Sequence, residues 1–182
     1  VEGPSDRIYI NAWIAALDSG LIEGLHYSIM FYGGRLLSHL SADDSSVTDF
    51  IALQRMNRNV AIVIDSDRRR AKDELNATKS RVLNEIARTG GYGWVTAGRE
   101  IENYVGSDLL ARCLKEIHPG AEFRAARTQW DCCYEPCGKK GRSADKVALA
   151  RAAVSAIDFD VLDLHAKVQG LVDFLRRANG GA

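Results

Sequence analysis

The chain has 182 residues, enough to bury a real core as one domain or as one domain with an appendage. Lysine plus arginine and aspartate plus glutamate each number 24, so the formal net charge is zero and a globally basic nucleic-acid binder is excluded; any such partner has to be held locally. No apolar run approaches the length of a membrane span and no signal-peptide pattern is visible, so the protein reads as soluble and cytoplasmic, with no membrane partner. Cys113, Cys132, Cys133 and Cys137 lack the paired spacing of a structural zinc site, and neither His118 nor His165 stands at ligand spacing to them. Free cytosolic thiols are expected.

The opening VEGPSD leads into a helix, because Ile10, Trp13, Ile14 and Leu17 fall at i, i+3, i+4 and i+7 on one face. Asp6 therefore stands at a helix start, where its carboxylate caps the helix, serves a metal, or does both. His26 to Tyr32 predicts an apolar and aromatic strand ending at Gly33-Gly34, a pair that turns the chain and lets a phosphate approach the backbone. A second helix is expected to bury Val47, Phe50 and Ile51. Asn59 to Ile64 carries an unbroken apolar run from Val60, the mark of a central parallel strand covered on both faces, and Asp65 and Asp67 emerge from its carboxyl end. Ala71, Leu75, Thr78, Val82 and Ile86 predict a long third helix that Gly90-Gly91 ends. Trp94 to Thr96 is a short further strand, after which Glu100 and Glu102 reach the same edge as the aspartates.

Alternation of strand and helix to this point predicts an α/β fold with a mainly parallel, doubly wound sheet and right-handed crossovers. Beyond residue 106 the pattern changes. Leu109, Leu110, Cys113, Leu114 and Ile117 predict a helix, residues 120–142 an irregular segment, and two amphipathic helices come next, through Val147, Ala150, Val154 and Ile157, then Leu164, Val168, Leu171, Val172 and Leu175.

In a parallel sheet the carboxyl ends of the strands line one edge, so acidic residues far apart in sequence can meet there. Glu2, Asp6, Asp65 and Asp67 are the candidates for a divalent-metal site, and their oxygen donors suit Mg²⁺ or Mn²⁺. With Glu100 and Glu102 included, six carboxylates are enough to hold two cations about 4 Å apart, the arrangement for in-line displacement at phosphorus. Two local basic groups, Arg68-Arg69-Arg70 and Lys139, Lys140, Arg142 and Lys146, are either solvated surface or contacts to backbone phosphates. Glu100 alone would be an exposed loop carboxylate, and Glu102 is equally a salt-bridge partner for Arg99.

VEGPSD, the Gly33-Gly34 turn and Asp65-Ser66-Asp67 together resemble the Toprim domain, the catalytic fold shared by topoisomerases, bacterial primases and several nucleases. The stretches VEGPSDRIYINAW, FYGGRLL, VIDSDR and GREIENY are similar, more narrowly, to the carboxyl-terminal nuclease region of the overcoming lysogenisation defect (OLD) family, whose members pair an amino-terminal ABC-type ATPase with a Toprim nuclease. The resemblance covers residues 1–105, a Toprim domain with a truncated first strand. It extends into a helical appendage, residues 106–182, mainly through the run ADKVALA.

It implies a DNA endonuclease using two divalent cations, with Glu2, Asp6, Asp65, Ser66 and Asp67 as ligands and Glu100 and Glu102 completing a second site. It also implies that Lys146 reaches toward the phosphate, unless it is an ordinary surface lysine. ATP would act only through the ATPase region, which together with DNA is the implied partner, and a homo-oligomer is expected of the full-length protein. No Walker A motif occurs in these residues. A different class of function, a non-catalytic Toprim scaffold for recombination, would dispense with the acidic residues that this chain retains.

Overall fold

The computed structural model describes residues 1–32, 45, 47, 48, 59–124, 126–137 and 144–181. The predicted Gly33-Gly34 turn, the helix positions Phe50 and Ile51, and the basic residues Lys139, Lys140 and Arg142 lie outside the described residues. Within them the protein is mixed α/β, with five α-helices and a small parallel sheet.

Helix α1, Pro4–Leu17, begins with proline at its first position, where the missing N–H has no helical partner to lose. Tyr9, Ile10, Trp13 and Ile14 form its buried face. Strand β1, Ala61–Ile64, and strand β2, Tyr92–Val95, run parallel in the register Ala61↔Tyr92 to Ile64↔Val95. Helix α2, Ala77–Arg88, connects them and packs on both. Its start is later than the sequence periodicity suggests, because Asn76 caps it by accepting a 2.8 Å hydrogen bond from the Lys79 N–H. The residues before it are tied in a turn, with Asp73 accepting from the Arg69 N–H.

Alternation along β1 distributes side chains to two cores. Ile62 and Ile64 face Val47, Val82 and Ile86, whereas Val63 joins Trp94 against α1 and the carboxyl-terminal helices. The short sheet is thus covered on both faces, as the apolar run predicted. Gly91 permits the close return of the chain into β2: a Cβ there would sit 2.5 Å from the Val60 carbonyl oxygen.

Beyond β2 come a 3₁₀ turn, Ile101–Tyr104, and helices α3, Ser107–Ile117, α4, Lys146–Ala153, and α5, Leu164–Ala178. Helices α4 and α5 both pack on α1, and Ala150, Ala153, Leu164, Val168 and Leu171 share one core with Tyr9, Trp13 and Trp94. Tyr104 is buried at the centre of this aromatic group, where it accepts from Trp94 Nε1 at 3.1 Å and donates to Asp163 at 2.7 Å.

The expected strand 26–32 is not a regular strand. Glu23 and Tyr27 form an isolated parallel bridge, and Val1 flanks Phe31 through two backbone bonds, Val1 N to Met30 O (3.1 Å) and Tyr32 N to Val1 O (3.0 Å). That pair has the parallel-ladder pattern.

Candidate metal centre

Strand β1 delivers Asp65 to the edge of the sheet, and the loop after β2 fixes Ser66 and Asp67. Ser66 is buried: its N–H donates to Thr96 Oγ1 at 2.9 Å, its hydroxyl donates to the Gly98 carbonyl at 2.7 Å, and that hydroxyl accepts from the Arg68 N–H at 3.2 Å. The Asp67 N–H donates to the Arg99 carbonyl at 2.9 Å. Ser66 therefore holds the two loops together with the groups that the resemblance would offer to a metal.

Asp67 adopts φ 55°, a left-handed conformation that a short polar side chain tolerates. Its carboxylate pairs with the ammonium of Lys79, which also donates to the Asp65 carbonyl at 2.7 Å. Lys79 is only 2% exposed.

The second acidic pair is built by the 3₁₀ turn. Asn103 accepts from the Glu100 N–H at 2.9 Å and donates to the Asp131 carbonyl and to Cys133 Sγ, clamping the turn against the 131–134 segment. Glu100 accepts from the Cys133 N–H at 3.2 Å and from the Tyr134 hydroxyl. Glu102 is wholly buried, and neither carboxylate oxygen has a hydrogen-bond partner among the described residues. Its nearest counter-charge is Lys146, the first residue of α4, whose Nζ lies 3.5 Å from Glu102 Oε1, 4.0 Å from Glu100 Oε2 and 4.4 Å from the centre of the Tyr134 ring.

Asp6 takes its place at the start of α1. It accepts from the Glu2 and Gly3 N–H groups at 2.8 and 3.2 Å and from the Ser5 hydroxyl, so the capping role is occupied.

The electrostatics tie these groups into one field. Burial, reinforced by Glu102, Asp6 and Glu2, pushes the Asp65 carboxyl well above its usual range. Burial also raises Glu2, with Asp6 and Asp67 adding to the effect, and lifts Glu102 to about 7. Burial alone would lower the Lys146 ammonium, but Glu102, Glu100, Asp65 and Asp6 outweigh it and push its pKa up. Glu2, Asp6, Asp65, Glu100, Glu102 and Lys146 thus belong to one coupled electrostatic group. Asp67 stands at the flank of the group with Lys79.

Compared with protein-family models, with curated proteins and with solved structures, the chain gives no match. The functional reading consequently stands on the residues and their geometry.

Among the described residues, no three histidine, cysteine, aspartate or glutamate side chains converge closely enough to enclose an ion. Asp67 is paired instead with Lys79, and Glu100 with Tyr134. The donor chemistry nevertheless suits a hard divalent cation. Glu102 presents two buried oxygens with unmet hydrogen-bonding capacity, and such orphans are costly unless something pairs with them.

Of the basic residues, Arg69 and Arg70 are exposed beside the centre, while Arg68 is half-buried with its Nε enclosed and without a hydrogen-bond partner among the described residues. Sequence reasoning missed Lys79, Tyr134 and Asn103. A signal existed for Lys79, a lysine placed at i, i+3 and i+7 with Val82 and Ile86 on an apolar helical stripe. Nothing local marks Tyr134, whose partner Glu100 is 34 residues away.

Proposed function

We propose that this chain is the Toprim nuclease region of an OLD-family protein, a Mg²⁺- or Mn²⁺-dependent endonuclease that hydrolyses DNA phosphodiester bonds. The observation that carries the reading is Glu102, a buried carboxylate whose two oxygens have no hydrogen-bond partner among the described residues, 3.5 Å from the Lys146 ammonium and in one electrostatic field with Asp65 and Asp6. In the proposed Toprim sheet, β1 and β2 are neighbouring central strands, and the Val1–Phe31 pairing belongs to a further parallel ladder. The appendage contributes Lys146 from α4.

Divalent cations bound by these carboxylates would supply Lewis-acid stabilisation and a water of lowered pKa. Asp65, Glu2 and Glu102 are the ligands we assign. Each must be ionised to bind, and Glu102, lifted to about 7, gives up its proton through the neutral range, so affinity rises with pH there. Lys146 stays protonated because the surrounding carboxylates hold its pKa up, so it acts as a fixed positive charge toward a phosphate oxygen and not as a base. Arg69 and Arg70 contact backbone phosphates, which gives affinity without sequence readout. ATP acts through an ATPase region of the full-length protein.

The test is a time course of supercoiled-plasmid cleavage in Mg²⁺, Mn²⁺ and EDTA, with Asp65→Ala as control. Nicked and linear products that require metal and disappear in Asp65→Ala are expected. The Asp65 carboxyl is desolvated among like charges, so the variant should melt no lower than wild type. Cleavage that survives Asp65→Ala, or a folded wild-type chain that binds no Mn²⁺ by calorimetry, overturns the reading and favours a non-catalytic scaffold.

A further inference from the structure

Asp65 and Asp67 stand two residues apart, yet they meet different partners. Asp65 lies in the field of Glu102, Asp6, Glu2 and Lys146. Asp67 is turned by its left-handed backbone to the rim, where its side chain is 56% exposed and its carboxylate pairs with Lys79. The ammonium in that pair is buried, held by the Asn76-capped first turn of α2 and by the Asp65 carbonyl.

We propose that Lys79 is an internal counter-ion that withholds Asp67 from the first divalent cation, splitting the Asp65-Ser66-Asp67 motif into one ligand and one neutralised rim carboxylate. The inference rests on the metal-centre reading. A buried ammonium that lost its anion would be left uncompensated, which is strongly unfavourable, so Lys79 keeps its hold on Asp67. An ammonium and a divalent cation on one carboxylate repel each other, so the ion goes where negative charge is unpaired. That place is Asp65, Glu2 and Glu102.

Lys79 also sets the charge of the centre. With every carboxylate ionised, Glu2, Asp6, Asp65, Asp67, Glu100 and Glu102 set against Lys79 and Lys146 leave a formal charge of −4, equal and opposite to two divalent cations. Without Lys79 the same centre would carry one more negative charge and attract a cation more strongly.

Calorimetric titration with Mn²⁺ at pH 8 tests this directly, with circular dichroism to verify folding. Replacing the pair together by neutral residues, Lys79→Met with Asp67→Asn, should leave first-ion affinity within about threefold of wild type, whereas Asp65→Asn should weaken it by about 100-fold, the scale on which metal-site changes act. Lys79→Met alone restores the full charge of Asp67 next to the site and should tighten Mn²⁺ by about tenfold. Asparagine tolerates the left-handed conformation, so Asp67→Asn does not strain the backbone. Should the methionine variant fail to fold, Lys79→Gln with Asp67→Asn keeps hydrogen-bonding groups at both positions and reads the same quantity. A loss in the double variant equal to that of Asp65→Asn shows Asp67 to be a ligand and overturns the inference alone. Wild-type protein that binds no Mn²⁺ overturns the metal reading and this inference with it.

Discussion

Replacing Glu102 by glutamine removes a charge and almost nothing else. The side chain is wholly buried, neither oxygen accepts a hydrogen bond from the described residues, and burial lifts its pKa from 4.5 to about 7. The sign comes from linkage. The folded pKa lies above the unfolded value, so between the two the unfolded chain gives up its proton while the native chain retains it, and stability falls as pH rises. At about 1.4 kcal/mol per unit the full penalty above neutrality is about 3 kcal/mol, most of which accrues between pH 5 and pH 8. The help that Lys146 gives the ionised carboxylate is already contained in that pKa.

Glutamine carries no such penalty. In metal-free buffer, Glu102→Gln should melt close to wild type at pH 5 and about 5–10 °C above it at pH 8, given the usual entropy of unfolding for a chain of this size. The assay is thermal denaturation in EDTA, monitored by circular dichroism in steps of half a pH unit. Wild-type and variant curves that run parallel from pH 5 to pH 8 would show that Glu102 is not a desolvated carboxyl, and the argument for a cation at this position would collapse.

Tyr134→Phe keeps the ring beneath Lys146 but leaves one Glu100 oxygen without its hydroxyl donor, a loss of about 1–2 kcal/mol in stability by urea titration; plasmid cleavage should fall less than in Tyr134→Leu, which also removes the cation–π contact. Arg69→Ala with Arg70→Ala should reduce the slope of log affinity for duplex DNA against log salt by about 2, one unit for each exposed arginine that gives up a phosphate; an unchanged slope places the DNA elsewhere.

The parts of the fold that were legible in the sequence are those whose burial is complete. The apolar run before Asp65 lies under helices on both faces of the sheet, and the stripe of Ile10, Trp13 and Ile14 is the buried face of α1. Segment 26–32 shows the reverse. Its apolar composition suggested a strand, but Met30 and Phe31 are exposed, and among the described residues its strand-type pairings are Val1–Phe31 and the isolated bridge Glu23–Tyr27. Composition reported a hydrophobic segment without reporting what it pairs with. Asp65 and Asp67 were legible as the residues that follow the apolar run, and Glu100 and Glu102 as carboxylates in the loop after β2. The groups that restrain those residues were not, since Lys79 reaches back 12 residues to Asp67 and Tyr134 reaches back 34 to Glu100.

The raised carboxyls also dictate how metal loading is coupled to protons. At pH 6 the Glu102 carboxyl, with its pKa near 7, is mostly protonated, and Asp65 and Glu2 are shifted in the same direction by burial and by one another. A cation can be ligated only by the ionised form, so each ligand that binds must first release what it holds. Mn²⁺ binding at pH 6 should therefore expel about one proton from Glu102 alone, with a further contribution from Asp65. Calorimetry in buffers of different ionisation enthalpy measures that number as the slope of apparent binding enthalpy against buffer enthalpy. The slope should shrink in Glu102→Gln and should decline toward pH 8 in wild type as Glu102 ionises by itself. Binding that is tight at pH 6 and indifferent to buffer would mean that the cation sits on carboxylates already ionised in the free protein. That result would remove Glu102 from the centre.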